Sequence, residues 1–285
     1  RARLRGRRPG EGRTRQPGLT GPDIPGIPAG IPIGVGSGDN AAAALALGLV
    51  EGESVLSLGT SGVVYARSSH PVHDFGGYVC SYADATGDHL PLVATLNAAR
   101  NFDIGARVLG CSHEELSALA LQAPPGAEGL TLLPYFEGER TPDLPHARGS
   151  LLDASFENFT RPNFARAIIE GTIASQVYML EALKSSNVST DRLILIGGAS
   201  QSAAVQTILG ELVSVPISVP EPDEYVAKGA AMQAAAAIDG GFPTWPVAAT
   251  DLPATTLYPQ IAAQHSAAKV ALGYIETGHK EASSV

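Results

Sequence analysis

The stretch SVLSLGTSGVVYAR, residues 54–67, decides the fold. Residues 54–58 and 63–67 are short apolar runs of strand length, and the turn Gly59-Thr60-Ser61-Gly62 joins them. Apolar runs joined by a tight, Gly-containing turn predict a β-hairpin. A second hairpin is predicted directly afterwards, within residues 78–94. The sheet therefore starts with antiparallel strands.

Further along the chain, strands alternate with helices. The longest predicted helix runs from Pro162 to about Lys184, where apolar residues recur with a 3.6-residue period. Ser112 and Glu115 form the pattern of a capping box at the start of an earlier helix. The remaining predicted elements are strands at residues 31–35, 130–133, 192–196 and 216–219, and helices at about 40–49, 97–109, 112–121, 201–214 and 226–238. Hairpins followed by alternating strands and helices predict an α/β fold with a mixed sheet flanked by helices.

The composition fits one large globular unit. The chain has 285 residues, of which 44% are hydrophobic and 16% charged. We expect one domain over residues 31–245 and a looser C-terminal helical segment over residues 246–285. No run of 18 apolar residues occurs, so no membrane partner is expected.

The N-terminal segment, residues 1–30, differs in composition from the rest. Its first sixteen residues carry seven Arg and one Glu. Residues 17–285 carry 12 basic and 27 acidic side chains, a net charge of −15. An Arg-rich arm is compatible with a nucleic-acid arm or a transit peptide. A disordered or non-native tail is favoured, because the segment has no aromatic residue and no amphipathic pattern. The acidic remainder predicts no nucleic-acid partner.

The two cysteines, Cys80 and Cys111, have no CxxC spacing, and we interpret both as reduced thiols of a cytoplasmic protein. The seven His show no metal-ligand spacing, so the sequence identifies no metal ligands. The chain does not begin with Met, which we take as a sign of a fragment or a processed product.

Three polar loops follow predicted strands, the usual location of ligands in open α/β sheets. The first is GSGDN, residues 36–40, where Asp39 begins a helix. A carboxylate there can accept the proton of a substrate hydroxyl. The alternative is that Asp39 serves only as the helix N-cap.

The second loop is the turn at Gly59, Thr60 and Ser61. Its backbone N–H groups and two hydroxyls can donate to phosphate oxygens. The alternative is an ordinary hairpin turn, where Gly and Ser are common.

The third loop is IGGASQS, residues 196–202, where Gly197 and Gly198 stand between a strand and a helix. That arrangement can bind an anion at the helix N-terminus. It is neither GxGxxG nor a P-loop, and a turn with small residues for close packing is the alternative.

Taken together and in this order, these loops resemble those of the FGGY family of carbohydrate kinases, and within it the xylulokinase branch. The resemblance rests on GSGDN, on SLGTSG at residues 57–62, on GERTP at residues 138–142 and on IGGASQS. It covers about residues 31–245.

The resemblance implies an actin-like, ribonuclease-H-like ATPase fold and transfer of a phosphoryl group from ATP, with Mg²⁺, to a sugar hydroxyl. The catalytic aspartate falls on Asp39, and Asn40 matches a substrate-contacting position. The nucleotide contacts fall on the Gly59–Ser61 turn and on Gly197 and Gly198. Ser202 stands where the family often has an Asn near the adenine.

The family's N-terminal sugar-binding domain is expected to be absent from this chain, and a homodimer is one expected assembly. The favoured reaction is D-xylulose to D-xylulose 5-phosphate, with this chain as the ATP-binding half. The alternatives are a non-catalytic nucleotide-binding fragment, another actin-like ATPase, or a related kinase acting on glycerol, gluconate or another pentulose.

Overall fold

The computed structural model describes residues 18–19 and 26–274. The prediction of a disordered or non-native tail over residues 1–30 falls mostly outside these residues. Within them, strand β1 (Gly18–Leu19) pairs antiparallel with strand β2 (Pro32–Ile33).

The central feature of the described part of the chain is a mixed sheet of seven strands. Its strands are β3 (Gly52–Leu58), β4 (Gly62–Ala66), β5 (Cys80–Ala83), β6 (His89–Thr95), β9 (Thr190–Ile196), β10 (Ile217–Pro220) and β11 (Ala249–Asp251). Their spatial order is β11-β10-β9-β3-β4-β6-β5. A separate two-stranded sheet pairs β7 (Thr131–Leu133) with β8 (Ser150–Leu152).

Helices cover both faces of the large sheet. They are α1 (Asp39–Leu47), α2 (Arg100–Leu109), α3 (His113–Ala120), α4 (Arg161–Ser185), α5 (Ala203–Leu212), α6 (Tyr225–Asp239) and α7 (Pro259–Ala271). Successive side chains of a strand point to opposite faces, so a strand covered on both faces is apolar throughout. In β3, Val55 belongs to the core cluster shared with α1 and α6, whereas Leu56 belongs to the cluster shared with α3, α4 and α5.

Both predicted hairpins and the strand–helix alternation are present, so the prediction of a mixed, helix-flanked α/β sheet is confirmed. Ser112 and Glu115 form the predicted capping box at the start of α3. The longest helix begins one residue before the predicted Pro162 and is capped by the hydroxyl of Thr160.

Two features differ from the sequence-based expectations. The N-cap of α1 is Gly38, and Asp39 is the first helical residue, so Asp39 does not cap this helix. The segment over residues 246–285 is not purely helical. It adds β11 to the edge of the main sheet, antiparallel to β10, before forming α7. Ala249–Asp251 is exposed throughout, so it has no hydrophobic alternation that could predict a strand.

A buried ionic cluster joins α4 to α5. Arg166, 2% exposed, donates from Nε to Glu170 over 2.6 Å and from Nη2 to Glu211. It also donates to the carbonyl of Ala123, and Glu170 accepts from the backbone N–H of Gly126. Burial raises the pKa of both carboxyl groups, and Arg166 opposes that rise. The guanidinium therefore favours the ionised form of both buried carboxyl groups.

Arg166→Met is expected to lower the free energy of unfolding at neutral pH by about 3–5 kcal/mol, because two buried carboxylates lose their cation. Without Arg166 their folded-state pKa values rise further above the unfolded values. The loss should therefore shrink as the pH falls toward the ordinary carboxyl pKa, where both groups take up protons. Urea unfolding at several pH values measures this.

The matched control is Arg161→Met, on the first turn of the same helix, where an exposed guanidinium donates to the carbonyl of Leu109. We expect this variant to change stability by about 1 kcal/mol or less. A loss in Arg166→Met that did not vary with pH would contradict the electrostatic explanation and indicate lost packing alone.

Candidate active site

Four loops leave the large sheet at one edge. Strands β3, β9 and β10 are parallel, so their carboxyl ends lie side by side. Strand β6 is antiparallel to β4, which is antiparallel to β3, so the carboxyl end of β6 reaches the same edge. The loops that follow these strands are residues 59–61, 96–99, 197–202 and 221–224. The topology therefore collects two of the three sequence-predicted loops, together with two that were not predicted.

The turn between β3 and β4 is closed by a hydrogen bond from the N–H of Gly59 to the carbonyl of Ser61, over 3.2 Å. Thr60 and Ser61 are exposed, so their hydroxyls face solvent at the sheet edge. Gly62 is required by packing, since an added Cβ would lie 1.8 Å from Oε1 of Gln176. The turn is therefore packed against Gln176 at Gly62 and exposed to solvent at Thr60 and Ser61.

Gly197 and Gly198 have different structural roles. Gly197 has φ +96°, and an added Cβ would lie 2.5 Å from the carbonyl oxygen of Leu58, at the end of β3. Only glycine fits there. At Gly198 an added Cβ would meet no heavy atom within 4 Å. Gly197 thus packs the third loop against the second, while Gly198 faces open space that a ligand can occupy.

Ser202 is not presented to this open space. Its hydroxyl accepts from the N–H of Val205 as the N-cap of α5 and lies 3.2 Å from the hydroxyl of Ser117 on α3. The half-buried side chain therefore caps α5 and contacts α3. Its predicted role near an adenine base stays a prediction.

The helix that begins with Asp39 is fixed by packing against α6. An added Cβ at Gly229, in the second turn of α6, would lie 1.9 Å from the carbonyl of Ala42, so the first turn of α1 and the second turn of α6 are in backbone contact. Gln233 of α6 donates to the hydroxyl of Ser37 over 2.6 Å. These contacts fix the start of α1 against α6, the helix that follows β10, and α1 in turn leads into β3.

The carboxylate of Asp39 is exposed and is oriented by its neighbour. Its Oδ1 accepts from the backbone N–H of Asn40 over 2.8 Å and from the Asn40 side chain over 3.1 Å. The two predicted residues therefore act as a pair.

Sequence reasoning missed the loop of residues 96–99. The N–H of Ala99 donates to the carbonyl of Gly59 over 3.0 Å, which attaches this loop to the turn. Gln176, fully buried on α4, donates to the carbonyl of Asn97 over 3.1 Å. The loop has no glycine or charge pattern, so its place at the site follows from the sheet topology alone.

No group of three or more His, Cys, Asp or Glu within residues 26–274 is arranged to hold a metal ion. Mg²⁺ commonly uses one or two carboxylates, several waters and substrate phosphates as its ligands. Across the same residues, no helix has the length and apolar character of a membrane span.

Comparison with known proteins identifies the family. The profile of the FGGY family of carbohydrate kinases, C-terminal domain, matches residues 54–238, more than half of the chain. The chain belongs to the FGGY family of carbohydrate kinases. Asp39 and Asn40 lie before the matched region. The FGGY resemblance inferred from the loops is confirmed.

The similar FGGY relatives are xylulose kinases. The chain is 41% identical over 209 residues to a xylulose kinase of Streptomyces coelicolor and 34% identical over 203 residues to one of Haemophilus influenzae. These alignments cover 73% and 71% of this chain and 42% and 41% of the relatives. The chain therefore spans about two fifths of the length of these relatives.

The fold agrees with the family. The crystal structure of xylulose kinase from Bifidobacterium adolescentis superposes with a TM-score of 0.77 at 39% identity, over 86% of this chain and 49% of that one. The predicted actin-like ATPase fold is confirmed.

Tyr65 of β4 is fully buried. Among the described residues its hydroxyl has no hydrogen-bond partner. Burial, followed by the negative charge of Asp39, raises its pKa. The hydroxyl therefore lies desolvated and within the field of the Asp39 carboxylate.

Tyr65→Phe is expected to raise the free energy of unfolding by about 1 kcal/mol, because it removes a buried hydroxyl that has no partner. Urea unfolding measures the change. Tyr82→Phe, at an exposed tyrosine of β5, is the control and should change stability by less than about 0.5 kcal/mol. A Tyr65→Phe protein less stable than the wild type would show that the hydroxyl has a partner in solution.

Proposed function

We propose that this chain is the ATP-binding half of a sugar kinase, and that the reaction is phosphorylation of D-xylulose to D-xylulose 5-phosphate. The observation that carries the proposal is the contact of the Gly59–Ser61 turn with the Gly197–Gly198 loop at the carboxyl ends of β3 and β9, together with an oriented Asp39–Asn40 pair at the start of the helix that leads into β3. Similarity to xylulose kinases supports the choice of sugar.

Asp39 is the proposed general base. An exposed carboxylate at a helix start can accept the proton of the attacking hydroxyl, which for D-xylulose is the C5 hydroxyl. Asn40 donates twice to Oδ1, which orients the carboxylate.

The turn and the glycine loop are the proposed phosphate sites. The hydroxyls of Thr60 and Ser61 and the local N–H groups can donate to phosphate oxygens. Gly198 lets a nucleotide lie against the backbone. When bound, ATP supplies the γ-phosphoryl group, and Mg²⁺ neutralises charge on its phosphates. Positioning by these residues provides most of the catalysis in such a reaction.

We also propose a cellular location, a partner and an assembly for the enzyme. Cys80 and Cys111 are unpaired in the structure, which is compatible with the proposed cytoplasmic location. The proposed partner is a small sugar, and sedimentation would test the proposed homodimer.

A second candidate is nucleotide binding without catalysis. The chain covers about two fifths of the length of the xylulose kinases it resembles. The family resemblance places most sugar contacts in the N-terminal half of such kinases. Production of ADP from ATP in the presence of D-xylulose separates the two candidates.

Gly198→Val is expected to abolish binding of Mg-ATP, because the added side chain would occupy the space proposed for the nucleotide. Isothermal titration calorimetry of the whole chain measures the affinity, and thermal unfolding should show an unchanged midpoint without ligand. Gly241→Val is the matched control, since that glycine also has open space around its Cβ position but lies beyond the far end of α6.

Wild-type affinity in Gly198→Val would contradict the proposed nucleotide position. Asp39→Asn, in the same assay, should bind Mg-ATP normally and lower ADP production with D-xylulose by on the order of 10²- to 10⁴-fold. Unchanged turnover in this variant would rule out Asp39 as the base. A wild-type chain that binds Mg-ATP but forms no ADP would favour the second candidate.

A further inference from the structure

The proposed phosphate site has no cation of its own. None of the residues assigned to it carries a positive charge; they are Asp39, Asn40, Gly59–Ser61, Gly197, Gly198 and Ser202. Phosphoryl groups are normally held by Arg, Lys or a metal ion as well as by N–H donors. In a chain of net charge −9, a cation near this edge would have a large effect on anion binding.

Two cations near the edge are already neutralised. Arg100, at the start of α2, forms an ion pair with Glu137 at 3.0 Å. Lys228, in the first turn of α6, forms an ion pair with Asp223. Neither is therefore free to bind an anion without losing a partner.

Arg140 differs from both. It is exposed, and no carboxylate among residues 26–274 lies within 4.0 Å of its guanidinium. Its side-chain contact is a weak one, from Nη2 to Sγ of Cys80 at 3.9 Å. An exposed Arg with no stronger side-chain contact can change rotamer at little cost.

The backbone of Arg140 is held at the site by a buried carboxylate. Glu139 is 1% exposed, and its Oε1 accepts from the N–H of Arg140 over 2.7 Å and from the N–H of Leu96 over 2.6 Å. Its Oε2 accepts from the side chain of Asn97 over 2.9 Å. A buried carboxylate without a cation needs this full set of donors. Glu139 thus joins Arg140 to the loop of residues 96–99.

That loop is in turn attached to the phosphate turn, through the hydrogen bond from Ala99 to Gly59. The backbone of Arg140 is therefore fixed next to Leu96, the residue that follows β6. Two hydrogen bonds, Leu96 to Glu139 and Ala99 to Gly59, connect this segment to the turn. An arginine side chain carries its guanidinium several ångströms from its Cα, and its planar donors match the oxygens of a phosphoryl group.

We propose that Arg140 binds a phosphoryl group of the ligand held at the Gly59–Ser61 turn. This inference rests on the proposed function. It assigns to the site a cationic side chain, which none of the residues named so far provides. The group belongs either to ATP or to a phosphorylated sugar, and both present the same dianionic oxygens. Glu139 is the positioning residue that keeps Arg140 at the sheet edge.

Calorimetric titration of the whole chain tests this with three probes: Mg-ATP, adenosine and D-xylulose 5-phosphate. Arg140→Ala should weaken one phosphorylated probe by about 10- to 100-fold, the effect of losing charge-assisted hydrogen bonds, and leave adenosine affinity unchanged. Loss for Mg-ATP assigns the group to the nucleotide, and loss for the sugar phosphate assigns it to the product. Arg140→Lys should recover part of the affinity, since it restores the charge without the planar donors.

Arg107→Ala is the matched control. Arg107 is also exposed and has no carboxylate partner among the described residues, but it lies in the last turn of α2, about 10 Å along the helix from the site. It should bind all three probes as the wild type does. Thermal midpoints of both variants should match the wild type.

Arg140→Ala with wild-type affinity for both phosphorylated probes would overturn this inference and leave the proposed function standing. Equal loss for adenosine and Mg-ATP would also overturn it, because that pattern indicates a distorted site. A wild-type chain that binds neither phosphorylated probe would overturn the proposed function as well.

Discussion

The parallel pairing of β3 with β9, sealed by the contact of Gly197 with Leu58, is the constraint on which the candidate site depends. Pairing brings the carboxyl ends of two strands side by side, and the missing side chain of Gly197 lets the loop of residues 196–202 pack onto the backbone beside the turn at residues 59–61. A larger residue would separate them. The turn at residues 59–61 and the open face at Gly198 are adjacent because of this contact.

A second close approach, between α1 and α6, fixes the helix that begins with Asp39. Gly229 permits backbone contact with Ala42, and this fixes the first turn of α1 against α6. The two devices are independent, since one lies within the sheet and the other between helices on one of its faces. The first contact brings hydroxyl donors and an open glycine face to one end of the sheet, and the second fixes the helix that carries the Asp39 carboxylate. A separate cleft of about 230 Å³ lies near the C-terminal end of α1 and is lined by residues such as Leu49 and Trp245.

Much of this fold was predictable from sequence because the strands are covered on both faces and so read as continuous apolar runs. The capping box at Ser112 was predictable because its pattern is local. The strand at Ala249–Asp251 was not, since an exposed edge strand has no apolar alternation. The sequence also gave no way to separate the packing role of Gly197 from the open position of Gly198, or to find the loop of residues 96–99, because both depend on long-range strand pairing.

Amide hydrogen exchange of the whole chain, with and without Mg-ATP, tests most directly the claim that these loops form one nucleotide site. Slower exchange is predicted in peptides covering residues 57–62, 96–101 and 196–202 together, because a ligand at the shared edge would order all three. Peptides covering residues 242–247, at the separate cleft, should not change. Protection confined to that cleft, or to one loop without the others, would contradict the account.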